Sequence, residues 1–174
     1  MTEIFPTHTF EDWLATNEPN LRPPVNNKAM WTGSNDFIVQ VVGGPNKRTD
    51  FHVDPYEEWF YQVKGNIHVD LMVDGKPQTV HIHEGETWLL PGNTPHSPQR
   101  PEDGSVGLVI ERIRDEGTLE KFQWYCPNCH ELVHEVELQV RDIVVDLPPV
   151  FTAFYEDESA RTCANCGTVH PGKG

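Results

Sequence analysis

The sequence predicts an all-β protein whose short strands close into a barrel or pack as two sheets. Stretches rich in β-branched and aromatic residues recur, with turn signals between them about every eight to twelve residues. The sharpest of these signals is Asp74-Gly75, a dipeptide suited to a tight hairpin, which follows the alternating stretch at residues 67–73. No long helical periodicity interrupts the series, so alternating strands and helices are disfavoured.

The predicted strands fill the region from residue 36 to residue 112, which we take as the core of the barrel. They are residues 37–42, 59–63, 67–73, 80–82, 87–90 and 106–110. Before this core, residues 9–12 resemble a capping box and predict a helix of about two turns that ends before Pro19 and packs on the barrel wall. Pro23-Pro24 then predicts extended chain.

After the barrel core the sequence predicts a small appendage, at about residues 122–170, within a single domain of residues 1–174. Residues 133–145 have the texture of a strand. Residues 147–155 predict a short helix opened by Pro148-Pro149, because proline is favoured in the first turn of a helix. The appendage is too small to form a second full domain.

Four cysteines stand in this appendage as two Cys-x-x-Cys pairs. Cys126-Pro-Asn-Cys129 and Cys163-Ala-Asn-Cys166 are separated by 33 residues. Two such pairs predict a tetrahedral four-sulfur site that holds zinc or iron, and a closed shell of four thiolates predicts a structural role. Free thiols or a redox pair are the alternative. His130, His134 and His170 lie near these cysteines in the sequence. We interpret them as neighbours of the metal site or as exposed residues.

Charge and patterning exclude several classes of function. The chain has 174 residues, a net charge of −14 and a pI of about 4.9, which argues against binding nucleic acid because phosphate contacts need clustered Lys and Arg. No basic segment followed by an apolar run opens the chain, and no apolar run approaches 18 residues. We therefore expect neither secretion nor membrane spanning. Cysteine pairs spaced for metal favour a reducing compartment, the cytoplasm.

Three potential ligands of a second metal stand in the strand-rich region. They are His52, Glu58 and His96. Two imidazoles and one carboxylate suit ferrous iron and leave about three coordination positions free for other ligands. Glu57 adjoins Glu58, and strand alternation turns only one of the two inward. An isolated histidine is more often structural or solvated, and that is our interpretation of His68, His81 and His83.

The spacing around these ligands resembles the two cupin motifs. Glu58, with six residues between it and Gly65, fits the end of the first motif, which selects Glu58 over its neighbour. His52 fits the opening ligand of that motif, with Asp54 in place of the usual second histidine. Residues 85–96, Gly-x5-Pro-x4-His, fit the second motif, although a glycine follows the proline. The resemblance implies a cupin-type jelly-roll barrel with three protein ligands.

Longer stretches resemble the 3-hydroxyanthranilate 3,4-dioxygenase family. They are residues 21–27, 41–52, 58–62, 90–100 and 109–112. Both cysteine pairs are similar to those of the microbial, metal-bearing branch of the family. The resemblance implies an enzyme that binds ferrous iron through the three ligands, opens the ring of 3-hydroxyanthranilate with dioxygen and forms 2-amino-3-carboxymuconate semialdehyde. That product closes to quinolinate on the route to NAD. A homodimer is also implied.

The same resemblance assigns residues that contact the substrate. Arg100 clamps the substrate carboxylate with a planar fork, and Arg48 lies on the ring and dioxygen side. Glu111 contacts the polar edge of the substrate and could accept the hydroxyl proton. The full set of substrate-contacting residues is Asn27, Arg48, Glu58, Arg100 and Glu111. Phe37, Trp59 and Phe60 are interpreted as lining the pocket or the core.

Two other classes of function stay open at this point. The first is another cupin enzyme, such as a different extradiol dioxygenase or a metal-dependent isomerase. An isomerase needs no oxygen and no arrangement of Arg48, Arg100 and Glu111 around one aromatic acid. A non-enzymatic metal-binding cupin is the second, but it lacks a reason to leave three metal positions open. Fold alone does not choose among these classes.

Overall fold

Two antiparallel sheets form the body of the protein in this computed structural model, which describes residues 4–23 and 26–173. The strands are β1 (Asn27–Ala29), β2 (Phe37–Gly43), β3 (Phe51–Val53), β4 (Glu58–Lys64), β5 (Ile67–Val73), β6 (Lys76–Ile82), β7 (Thr87–Leu90), β8 (His96–Gln99), β9 (Val106–Arg112), β10 (Glu120–Tyr125) and β11 (Leu132–Leu138). One sheet has the order β1-β2-β9-β4-β7 and the other β11-β10-β3-β8-β5-β6. The predicted all-β, two-sheet architecture is confirmed.

The main core lies between the two sheets because alternate residues of each strand point inward. On β4, Glu58, Phe60 and Gln62 are buried, whereas Trp59 and Tyr61 are only half-buried on the outer face. The buried core residues come from both sheets: Phe60, Ile67, Val69, Leu71, Ile82, Leu90 and Val109. Burial of one such side chain contributes about 1.5–3 kcal/mol.

Most of the predicted strands are confirmed, and the hairpin at Asp74-Gly75 joins β5 to β6. Both residues of this turn have positive φ, 51° for Asp74 and 72° for Gly75, and Val73 pairs with Lys76 across it. A turn with two left-handed residues matches the twist of the strands, which explains why this dipeptide stands there. The prediction omitted four strands, β1, β3, β8 and β10.

The predicted N-terminal helix is α1 (Phe10–Asn17), which continues into a 3₁₀ turn at Glu18–Leu21. Thr9 is the N-cap residue, but its side chain makes no capping hydrogen bond, so the capping box is wrong in that detail. Trp13 is buried against Val41 of β2 and Leu21, as predicted for a helix on the barrel wall. The extended chain predicted at Pro23-Pro24 lies partly outside the described residues, which omit Pro24.

The C-terminal part adds β10, β11, α2 (Ile143–Glu156) and α3 (Glu158–Arg161). β10 pairs with β3, so the six-stranded sheet continues into this part of the chain. The sequence predicted a short helix that starts at Pro148-Pro149. That predicted start is wrong, because α2 begins at Ile143 and contains both prolines. Phe122 and Trp124 of β10 pack with Phe154 of α2 in a further core cluster. Among the described helices, none has the length and hydropathy to cross a bilayer.

Candidate active site

Strand register brings the three predicted metal ligands to one point inside the barrel. His52 on β3 pairs with His96 on β8, and Glu58 begins β4 on the facing sheet. Oε1 of Glu58 lies 3.2 Å from Nε2 of His96 and 3.6 Å from Nδ1 of His52. One ligand atom from each of the three residues lies within 4.8 Å of the other two. Glu58 is buried and Glu57 is exposed, as strand alternation and the motif spacing to Gly65 together predicted.

His52 and His96 each have a polar partner on the side of the ring away from Glu58. These partners determine which ring nitrogens face Glu58. Nδ1 of His96 lies 2.9 Å from the carbonyl oxygen of Thr94, and Nε2 of His52 lies 2.6 Å from Oε2 of Glu120. If the rings bind a metal, each of these nitrogens would keep its proton and the other nitrogen would offer its lone pair. Oε1 of Glu58 is buried and accepts no hydrogen bond from the described residues. Three lone pairs thus converge, an arrangement that a cation stabilises.

The charge around this point is strongly negative. Four carboxylates, Asp54, Glu58, Glu111 and Glu120, surround it. Arg114 ion-pairs with Asp54, with Glu111 at 2.8 Å and with Glu120 at 3.0 Å. One guanidinium against four buried or half-buried acids leaves an excess of negative charge, and buried charge is unfavourable unless it is compensated. The donor set therefore fits a divalent cation with oxygen and nitrogen ligands.

Glu58 and Glu111 face each other, and their surroundings shift their pKa values in opposite directions. Burial alone would raise the pKa of Glu58, but the positive charge that His96 and His52 carry when they are protonated outweighs it and lowers this pKa to about 2. Glu111 lies opposite Glu58 in the β4–β9 register. Burial raises the pKa of Glu111 above its ordinary value, although Arg114 opposes the shift. Glu58 is thus suited to remain an anionic ligand, and Glu111 takes a proton more readily.

Arg100 is a buried cation without an acid partner among the residues that the structure describes. It is 1% exposed, its Nη1 donates to Oε1 of Gln62 at 3.1 Å, and its Nε has no hydrogen-bond partner within residues 4–23 and 26–173. A Cβ atom on Gly107 would lie 2.8 Å from this Nη1, so only glycine leaves room for the guanidinium there. Burial lowers the pKa of Arg100 to about 10, which keeps it charged at neutral pH. An uncompensated buried cation favours an anionic ligand.

The other predicted pocket residues differ in their surroundings. Arg48 is paired with Asp50, and its charge also acts on Glu58 and His96. Asn27 is half-buried on β1 opposite Val42. Phe60 lies in the core between the sheets, but Phe37 is 58% exposed, so the interpretation that it lines the pocket or the core was wrong.

The sequence did not predict that Arg114, Glu120 and Gln62 belong to the site. Arg114 follows β9 and carries no motif, so nothing local indicates that it joins three acids. Glu120 had a usable signal, since Glu120, Phe122 and Trp124 alternate along β10 and all three are buried. A carboxylate on the buried face of a strand predicts a specific partner.

The four cysteines form a second cluster, in two turns of the same geometry. Sγ of Cys126 lies 3.5 Å from Sγ of Cys166, and Cys129 lies at the same distance from Cys163. All four are free thiols. A tetrahedral metal with bonds of about 2.3 Å requires a sulfur–sulfur distance of roughly 3.8 Å, close to that found. The backbone N–H of His130 donates to the carbonyl oxygen of Cys126, and the backbone N–H of Gly167 donates to the carbonyl oxygen of Cys163.

Hydrogen bonds favour the thiolate form at two of the four cysteines. Bonds to Thr168, through its hydroxyl and its backbone, lower the pKa of Cys166 to about 5. The backbone N–H of Asn128 lies 3.4 Å from Sγ of Cys126, whose pKa is also lowered. At Cys129 the backbone of Glu131 also favours the thiolate, but desolvation and the neighbouring thiols of Cys166 and Cys163 outweigh it and raise the pKa to about 11. Thiolates are the metal-binding form of cysteine, so the cluster is prepared to hold a metal ion.

Comparison with known proteins gives the same answer over nearly the whole chain. The family model of 3-hydroxyanthranilic acid dioxygenase matches residues 3–155. The chain belongs to this family. The 3-hydroxyanthranilate 3,4-dioxygenase of Burkholderia cenocepacia is 57% identical over 94% of the chain and 92% of its own length. The protein of the same name from Ruegeria pomeroyi is 52% identical over 94% of the chain and 91% of its length.

Among solved structures, the chain is similar to a cupin-2 domain containing protein from Shewanella frigidimarina. The TM-score is 0.49 and the identity is 17%, over 61% of this chain and 94% of that one.

Proposed function

We propose that the chain is a ferrous-iron 3-hydroxyanthranilate 3,4-dioxygenase. In this proposal His52, Glu58 and His96 hold the iron, and the product is 2-amino-3-carboxymuconate semialdehyde, the precursor of quinolinate in NAD biosynthesis. The observation that carries the assignment of the site is the convergence of three lone pairs, from two imidazoles and one carboxylate, inside a cluster with excess negative charge. Membership of the family supports the choice of reaction.

Bound iron supplies a Lewis acid that favours the deprotonated substrate hydroxyl and brings the aromatic ring and dioxygen together. The residues of the chain supply the remaining requirements. Glu111, whose pKa burial raises, accepts the hydroxyl proton. Arg114 holds the Glu111 carboxylate through its Nη1 at 2.8 Å. The charge of Arg48 lies on the metal side, close enough to act on Glu58 and His96.

Arg100 binds the substrate carboxylate at the other end of the pocket. Its partner Gln62 and the ligand Glu58 lie on the same inward face of β4, with Phe60 between them. Four residues of strand span about 13 Å. A metal–oxygen bond, one benzene ring with its substituents and a hydrogen bond together cover a distance of this order. The buried, unpaired guanidinium then gains the anion that the described part of the chain does not provide.

Anaerobic reconstitution tests the proposal. The purified protein is loaded with ferrous iron, 3-hydroxyanthranilate is added, and oxygen is admitted while the near-ultraviolet absorbance and the oxygen consumption are followed. We expect a new absorbance band, equimolar oxygen uptake and slow conversion of the product to quinolinate. Substrate turnover without oxygen would instead support an isomerase, and iron binding with neither change would support a non-enzymatic protein.

We propose that the four cysteines hold one iron or zinc ion in a structural site. The site joins the turn after β10 to the turn after α3. We also propose that the protein is cytoplasmic, because a reducing compartment keeps thiols of this kind free to bind metal.

Replacing Cys126 with serine tests the structural role of the cysteine site. Cys126 is 1% exposed and its Sγ lies 3.5 Å from that of Cys166, so the variant loses a ligand that no neighbour replaces. We expect one metal ion fewer per chain by elemental analysis and a lower thermal unfolding midpoint. Turnover per active-site iron is expected to change much less. A stable variant with selectively abolished turnover would contradict the structural role.

We propose that the enzyme is a homodimer that pairs through the outer face of the five-stranded sheet. Leu89 is 51% exposed there, beside Trp59, and Phe37 is exposed on the same sheet. Exposed large apolar side chains on one face are typical of an interaction surface. Leu89→Glu is therefore expected to give monomers in sedimentation equilibrium. Leu132→Glu, at a leucine that is 46% exposed on the other sheet, is the control and should remain dimeric. Monomeric wild-type protein would overturn the proposal.

A further inference from the structure

The imidazole of His52 has a buried partner on the side away from Glu58. Its Nε2 lies 2.6 Å from Oε2 of Glu120, while its Nδ1 faces Glu58 at 3.6 Å. Glu120 is 2% exposed, and it lies on β10 rather than on the strands that carry the ligands. A buried carboxylate placed at hydrogen-bonding distance from one nitrogen of a ring fixes which nitrogen carries the proton.

We propose that Glu120 is the positioning residue of the metal centre. It accepts the hydrogen bond of Nε2–H of His52 and so holds the ring with its Nδ1 lone pair directed at the metal position. The inference rests on the proposed function in one respect, that His52 is a metal ligand. Outer partners of this kind orient a ligating imidazole and make it a stronger base toward the metal.

The position of Glu120 is itself determined by three features of the fold. The β3–β10 register places Phe122 opposite His52, and the two rings stack with centroids 5.0 Å apart and planes at 15°. Glu120 and Phe122 are both on the buried face of β10, so one strand supplies the contact to the edge of the imidazole and the contact to its face. Arg114 completes the arrangement, since its Nη2 lies 3.0 Å from Oε2 of Glu120.

The same guanidinium connects the metal ligand to the proposed base. Nη1 of Arg114 contacts Glu111 at 2.8 Å, whereas Nη2 contacts Glu120. A continuous series of polar contacts therefore runs from His52 through Glu120 and Arg114 to Glu111. Loss of the Glu120 carboxylate removes the middle of this series, and the effect is expected first at the imidazole that it contacts directly.

The test uses the full-length protein with Glu120→Ala, Glu120→Gln and the matched control Glu137→Gln. Glu137 lies on the neighbouring strand β11 with its side chain 48% exposed, and its ion-pair contact with Lys121 is 3.9 Å long. Affinity for ferrous iron is measured anaerobically by competition with a chromophoric chelator. In the diamagnetic zinc-loaded protein, long-range proton–nitrogen NMR identifies which nitrogen of His52 is protonated. Circular dichroism establishes that each variant is folded.

We expect Glu120→Ala to lower iron affinity by about 10- to 100-fold, as for other outer partners of metal ligands. The His52 signals should change from a single Nε2-protonated form to a mixture. Glu120→Gln keeps an oxygen that can accept the hydrogen bond, so we expect an intermediate loss of iron affinity. If Glu120→Ala does not fold, Glu120→Gln serves as the test variant. Glu137→Gln should behave as wild type. Unchanged affinity together with an unchanged Nε2-protonated His52 in the folded variants would overturn the inference.

The two proposals fail in different ways. If the wild-type protein opens the ring of 3-hydroxyanthranilate but the Glu120 variants bind iron as tightly as it does, the positioning role is wrong and the proposed function stands. If the Glu120 variants lose iron affinity but the wild-type protein opens no ring, the reaction is wrong and the positioning role stands.

Discussion

Replacement of Arg100 with methionine is expected to abolish tight substrate binding without weakening the fold. Removing one partner of a buried charge pair costs about 2–5 kcal/mol, equivalent to a loss of about 30-fold to several thousand-fold in affinity. Steady-state kinetics should show this mainly as a higher KM for 3-hydroxyanthranilate. Arg100→Lys keeps the charge but lacks the planar fork, so its KM should lie between those of the wild type and the methionine variant.

The stability of the Arg100→Met variant separates a binding residue from a structural one. In the free protein this guanidinium is buried, has no acid partner among the described residues and makes one hydrogen bond, to Gln62. Methionine fills a similar volume without the charge, and replacing a buried charge with an apolar side chain is often neutral or stabilising. We therefore expect an unchanged or higher thermal unfolding midpoint. Arg141→Met, at an arginine that is exposed near the start of α2, is the control.

Two results would contradict this account of Arg100. An unchanged KM would mean that the substrate carboxylate binds elsewhere. A large fall in the unfolding midpoint would mean that the guanidinium stabilises the fold through Gln62 and Gly107. The control should change neither quantity, because the side chain of Arg141 is 65% exposed.

Residues whose roles follow from strand alternation were predictable from the sequence. The choice of Glu58 over Glu57 needed only the two-residue period of a strand and the position of Gly65, and burial separates the two as expected. The hairpin at Asp74-Gly75 was predictable for a similar reason, since its two positive φ angles suit few dipeptides. In these cases the deciding interactions are local in sequence.

Residues whose roles depend on distant contacts were not predictable in the same way. Arg114 contacts Asp54, which precedes it by 60 positions, and no short motif connects the two. The start of α2 was missed because Ile143 and its neighbours have the composition of a strand. There the carboxylate of Asp146 accepts hydrogen bonds from the backbone N–H groups of Arg141 and Asp142, both at 2.8 Å, and stabilises a helical start.

Replacing Glu58 with alanine is expected to remove the active-site iron and with it all ring opening. Glu58 provides the only carboxylate of the proposed ligand set, and its Oε1 lies within 3.6 Å of a nitrogen of both histidines. Its pKa of about 2 keeps it anionic throughout the physiological range. The loss of iron affinity should therefore exceed the roughly 10- to 100-fold typical of an outer partner. Chelator competition and the oxygen-uptake assay measure the two effects.

Glu57→Ala is the matched control for this experiment, because Glu57 is the adjacent residue, has the same side chain and is exposed. It should bind iron and turn over substrate as the wild type does. The fold should survive Glu58→Ala, since the variant removes one acid from a cluster of four, and Arg114 still pairs with the other three. Retention of iron at wild-type affinity in Glu58→Ala would show that the metal lies elsewhere. Asp54, Glu111 and Glu120 would then be the acids to replace next, because each belongs to a neighbouring candidate ligand group.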